Sequence, residues 1–144
     1  MMIASTIGGM AFISSNVGAV HAFAETVGAW FDTPHGVANS LFLPYIMEFN
    51  IPACPGRFAD IADAMGIERE ESMSDEQYAL KAVEYVKALN RKLNIPTIKE
   101  IKGITEERFE AIAERSANNV LSNDNARKIT KEDYLELLKK AYNE

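Results

Sequence analysis

No charged side chain precedes Glu25, and no basic one precedes Arg57. The first 56 residues carry only Glu25, Asp32 and Glu48, so all 15 Lys and Arg lie at or beyond position 57. A front so poor in charge has few fates: it crosses a membrane, is removed as an export signal, or is buried in a folded core. Spanning takes about 20 mostly apolar residues, and Ser5, Thr6, Ser14, Ser15 and Asn16 break the run. Ala22-Phe23-Ala24 has the small-x-small form of a signal cleavage site, but a signal peptide also has a basic start and an uninterrupted apolar middle. Both are missing. The expectation is therefore one buried helix from Met2 to about Gly28. Gly8, Gly9 and Gly18 weaken such a helix while letting neighbours approach closely, so tertiary packing must hold it.

The remainder is ordinary for a globular chain. At 144 residues with 47% hydrophobic and 25% charged side chains, a single domain with one real core is expected. The net charge of −6 argues against nucleic acid or an anionic membrane surface as the main partner. Cys54 is the only cysteine, which rules out an intrachain disulfide and makes the cytoplasm the expected compartment.

Helical signals dominate. Trp30 to Thr33 reads as a loop, and Pro34 suits the first turn of a second helix over about 36–50, apolar on nearly every side and therefore buried. Pro44 should kink or split it. A short helix over 57–65 offers Phe58, Ile61, Ala62 and Met65 on one face, with Gly66 as its stop. Ser74 to Gln77 is a capping box that opens a helix to about Leu93, and Thr97 to Glu100 is a second, closed by Gly103. Thr105 caps the next helix. Thr130 to Asp133 opens the last one, to about Tyr142. The fold class expected is all-α.

Both histidines, His21 and His35, fall in the apolar front. His21 shares a helix face with Glu25 four residues on. His35 opens the second helix, where the positive end of the helix dipole favours the neutral, metal-binding imidazole. On spacing alone the pair reads more readily as two unrelated histidines, one in the core and one capping a turn. Cys54 reads as a small buried hydrophobe in a connector, and Phe12 as core packing.

The surrounding residues are more specific. Gly8-Gly9-Met10-Ala11-Phe12, Gly18-Ala19-Val20-His21-Ala22, Asp32-Thr33-Pro34-His35-Gly36-Val37-Ala38-Asn39 and Leu43-Pro44-Tyr45-Ile46-Met47-Glu48-Phe49-Asn50 resemble the iron-containing (group III) alcohol dehydrogenases. The likeness continues through Ile61 to Gly66, Ile95-Pro96-Thr97, Gly103 to Glu107 and Asn125-Ala126-Arg127. It implies an oxidoreductase whose N-terminal α/β half binds NAD or NADP and whose C-terminal helical half closes the cleft. A divalent metal, usually iron and sometimes zinc, sits between them on one aspartate and three histidines. His21 and His35 match the two histidines expected from the helical half, and Phe12 matches an aromatic of the nicotinamide pocket.

Glu25 stands where the family usually has a histidine near the nicotinamide, which makes it a candidate for proton relay or for a place beside the metal. Asn125-Ala126-Arg127 replaces the family's Asn-Pro-Arg and reads as a relaxed turn with no chemical role. No glycine-rich phosphate turn follows a strand anywhere in the 144 residues, so the chain reads as a helical domain over 1–144 without the nucleotide-binding half. The expected partners are that half, a small alcohol or aldehyde, and other copies of the chain in a homo-oligomer. A chain supplying two of four ligands is expected to be inactive alone. A non-catalytic helical domain that kept the packing and lost the chemistry is the rival reading.

Overall fold

The computed structural model describes residues 1–144 as helices and short 3-10 turns, without a strand. The helices are α1 (Met2–Ser15), α2 (Ala19–Phe31), α3 (His35–Asn50), α4 (Pro55–Ala64), α5 (Asp75–Lys92), α6 (Phe109–Ala117) and α7 (Lys131–Asn143). The all-α expectation holds. Two apolar clusters organise the packing. The larger joins α2, α3, α6 and α7, with Ile98, Ile104 and Ile129 sealing its edges. At its centre the Phe23 ring stacks on Phe42 at 4.2 Å and meets Tyr134 edge-on at 4.6 Å. The smaller cluster lies between α4 and α5 and takes Met47 from the far end of α3 and Ile51 from the 3-10 turn that follows it. Thus α3 belongs to both clusters, which suits its all-round apolar sequence.

The front differs from the single buried helix expected. It is two helices, bent by 107° between Ser15 and Ala19. α2 is core, with Ala19, Ala22, Phe23, Ala24 and Val27 fully buried, while α1 buries no residue at all. Ile3, Met10 and Ile13 are 77%, 67% and 79% exposed. The bend is set from far along the chain. Asn16 takes a left-handed φ of 61° and donates through Nδ2 to Asp124 Oδ2 at 2.7 Å, while the Ala19 N–H donates to Asn125 Oδ1. Gly18 fits there because a side chain would meet Asn125 Oδ1 at 3.0 Å. Gly8 and Gly9, by contrast, face open space.

Other expectations hold or are corrected locally. The capping boxes at Ser74, Thr97 and Thr130 form, because each depends only on residues three apart. Thr105 sits at the N-terminal cap of a 3-10 turn leading into α6 but makes no side-chain capping bond. Gly66, at φ 72°, ends α4 as foreseen, with the Ile67 N–H reaching Ala62 O and the Gly66 N–H reaching Asp63 O. Asn94 ends α5 by the same geometry at φ 55°. α2 runs through Trp30 and Phe31, so the loop is only Asp32 to Pro34. α4 buries Ala59 and Ala62 against α5 and leaves Ile61 exposed, since close helix packing here uses the small residues on both sides.

Pro44 neither breaks nor splits α3. Proline has no N–H to give the carbonyl four residues back, which here is Ser40. That carbonyl accepts instead from Asn90 Nδ2 of α5 at 2.6 Å. The orphaned acceptor becomes a tie between two helices.

No single helix is long and apolar enough to cross a membrane. α1 and α2 pass that test only when taken together across their bend, and α2 is interior to the fold.

Candidate metal centre

Two helices meet at a three-residue corner, and the corner brings the histidines together. His21 lies in the first turn of α2 and His35 is the first residue of α3. Between them Asp32 adopts φ 49° at the end of α2, Thr33 is buried and Pro34 starts α3 with its fixed φ. Gly28 admits the corner closely, since a Cβ there would sit 3.2 Å from Thr33 O. The result is a pair of imidazoles 5.2 Å apart between ring centroids, tilted by 53°. The two rings are neighbours across the corner rather than lying apart. Burial lowers the His21 pKa below its ordinary 6.5, the neighbouring His35 lowers it further, and Glu25 opposes both. The neutral ring, the form that binds metals, is thus favoured at neutral pH.

Glu25 follows on the exposed side of α2 and is already engaged, accepting from Asn119 Nδ2 at 2.7 Å. Phe12 lies on α1, half exposed at 52%, not in the core. Cys54 is half-buried, with its thiol 3.8 Å from Asn50 O. No group of three or more His, Cys, Asp or Glu side chains converges in an arrangement that could hold a metal ion. The donor set at the corner is therefore two nitrogens, half of what a four-coordinate site uses. The two nitrogens fit such a metal in kind, being paired, with His21 favoured as the neutral ring.

Several asparagines matter here that sequence reasoning passed over. Asn39 contacts His35 twice. Asn125 forms a reciprocal amide pair with Asn50 at 2.7 and 3.1 Å, donates to Arg127 O and caps α2 at Ala19. Arg127 in turn donates to Phe49 O and lies over the Phe49 ring. The Asn125-Ala126-Arg127 segment is thus no idle turn. It clamps the start of α2, three residues before His21 or fewer, to the end of α3. Its place in the family-like pattern is the one signal the sequence offers, since the partners lie 75 and 106 residues away.

Residues 1–142 match the sequence profile described as Fe-containing alcohol dehydrogenase family, C-terminal. Lactaldehyde reductase of Escherichia coli is 37% identical over 142 residues, which are 99% of this chain and 37% of that protein. The 1,3-propanediol dehydrogenase of Citrobacter freundii is 35% identical over 99% of this chain and 36% of its own length. Among solved structures, a 1,3-propanediol oxidoreductase superposes with a TM-score of 0.90 at 35% identity, covering 96% of this chain and 36% of the other. An alcohol dehydrogenase from Oenococcus oeni gives 0.86 at 40% identity over 93% of this chain and 35% of that one. The chain spans little more than a third of the relatives it matches. With that extent, that fold and that pair of histidines, the chain belongs to the iron-containing alcohol dehydrogenase family, whose C-terminal domain it represents.

Proposed function

We propose that this chain is the helical, metal-ligand-bearing part of an NAD(P)-dependent alcohol dehydrogenase or aldehyde reductase acting on a small alcohol. The observation that carries the reading is the convergence of His21 and His35 at 5.2 Å on a corner packed tightly enough to need Gly28. In this reading His21 and His35 hold two positions of a divalent metal, Fe²⁺ or Zn²⁺. When bound, such a metal supplies Lewis-acid polarisation of the substrate oxygen. The chain's own contribution is positional. α2 is fixed by its buried face, α3 by both clusters, and the corner by Asp32 to Pro34, so the rings cannot separate without unpacking the core. Burial keeps His21 neutral and available.

Glu25, on the face of α2 that bears His21, is the candidate for moving a proton in place of the family's histidine, held by Asn119. Phe12, on the exposed α1, is the candidate for the nicotinamide pocket. The nucleotide itself, NAD or NADP, is assigned to a nucleotide-binding half, which would also provide the remaining ligands, and the assembly is placed in the cytoplasm. The chain alone is expected to be inactive, since two imidazoles leave a tetrahedral site half made.

Calorimetric titration with Fe²⁺, Zn²⁺ and Ni²⁺ tests the ligand assignment. Weak binding is expected, lost in His21→Ala and in His35→Ala. Binding unchanged in both variants removes the assignment.

One observation favours the second reading, a non-catalytic helical domain or pseudoenzyme fragment that self-associates or binds a partner. α1 presents Ile3, Ile7, Met10, Phe12 and Ile13 to solvent together, more apolar surface in one place than a soluble monomer usually shows. Sedimentation velocity at rising concentration should then show association that weakens when Ile7 and Met10 are changed to Glu. A monomer at every concentration counts against it.

A further inference from the structure

We infer that Asn39 sets the tautomer of His35, holding the proton on Nδ1 and leaving Nε2 unprotonated. Three observations at the start of α3 carry this. Asn39 Nδ2 lies 2.9 Å from the backbone carbonyl oxygen of His35. The same nitrogen lies 3.1 Å from His35 Nε2. Asn39 Oδ1 is buried and has no hydrogen-bond partner.

A side-chain amide has two orientations, and these contacts separate them. With Nδ2 facing His35, its two hydrogens serve the carbonyl and the ring, and one oxygen is left unpaired. With Oδ1 facing His35, two acceptor oxygens would stand 2.9 Å apart and the amide's hydrogens would occupy the buried position without partners. Leaving one acceptor unpaired costs less than that combination. The carbonyl, a fixed part of the helix, therefore orients the amide. The amide in turn demands an acceptor at Nε2, because two N–H groups cannot point at each other. A neutral imidazole with an acceptor at Nε2 carries its proton on Nδ1.

The backbone thus reaches the ring through one side chain. The consequence deepens the reading of His35 as a ligand, on which it rests only for its significance. An Nε2 kept free of a proton is the state a metal needs, and the Asn39 N–H is a placeholder that an incoming cation at Nε2 must displace. Asn39 is a positioning residue and touches neither substrate nor cofactor in this assignment.

The test is long-range ¹H–¹⁵N correlation NMR of the imidazoles in the metal-free chain at pH 8.5, two units above the ordinary histidine value. His21→Ala and His35→Ala assign the two spin systems. His35 is expected to show an unprotonated Nε2 and a protonated Nδ1. Asn39→Ala should shift the tautomer ratio toward Nε2–H by about fivefold, the loss of one ordinary hydrogen bond. Asn39→Asp, which offers only acceptors, should shift it further the same way. A protonated Nε2 in the parent chain, or a ratio unmoved in both variants while the backbone spectrum stays folded, overturns the inference. Zn²⁺ titration of the same samples reads the ligand assignment separately. Failure to bind Zn²⁺ alongside the expected tautomer would defeat the metal reading and leave the role of Asn39 standing.

Discussion

The Asn50–Asn125 pair fixes where α2 begins, and its worth can be worked from its contacts. Asn125→Ala removes an acceptor from the Ala19 N–H and strips Asn50 of both its amide partners. Asn50 is only 7% exposed, so water replaces those bonds poorly. Each buried group left unpaired costs about 1–3 kcal/mol. With the Arg127 carbonyl exposed and readily hydrated, the three groups left by Ala19 and Asn50, each near the low end of that range because the truncated side chain admits water, total about 3–4 kcal/mol. For a domain of this size each kcal/mol lowers Tm by about 2–4 °C, so a drop on the order of 10 °C is expected by calorimetry. Asn50→Ala should cost about 2 kcal/mol, since its partner is nearer to solvent. The double variant should then be less destabilised than the two singles together by about 1–2 kcal/mol, the signature of a direct pair. Additivity within about 0.5 kcal/mol, or a negligible loss in Asn125→Ala alone, would refute the claim that this pair positions the helix carrying His21.

Two further outcomes follow from the core. Phe23→Ala opens a void between Phe42 and Tyr134 and should cost about 3–5 kcal/mol in denaturant unfolding, with metal binding falling as α2 loosens. Burial pushes the Tyr134 hydroxyl up to about 12 against a smaller opposing effect of Ser122. A pKa raised in the folded state gives stability that is whole below the unfolded value of 10 and lost as pH climbs toward 12. Tm should therefore fall over that interval, and less steeply in Tyr134→Phe. An equal slope in the two proteins would discredit the burial argument.

What was legible in the sequence was whatever depended on near neighbours. The boxes at Ser74, Thr97 and Thr130 need only a hydroxyl and an acceptor three residues on, and the stop at Gly66 needs only a residue that tolerates positive φ. The histidine pair was legible through the residues around it, with its spacing alone left undecided. The break in the front was not legible, because nothing between Ser15 and Ala19 demands it. Its causes are Asp124 and Asn125, more than a hundred residues away. That Pro44 does not split α3 was illegible for the same reason, since Asn90 compensates for it from another helix. The arrangement at Asn39 depends on the direction of one amide, which no pattern of residue types records.

α1 places a geometric demand on anything that covers it. Ile3, Ile7 and Met10 share one stripe of the helix by their i, i+4, i+7 spacing, while Phe12, also exposed, falls on the opposite side, so a flat surface laid on the stripe leaves Phe12 wet. Whatever receives it must offer a slot with at least two walls. The sharp elbow at Asn16 then fixes the direction of entry, so the insertion that shields α1 also dictates how the receiving body is oriented toward the imidazoles.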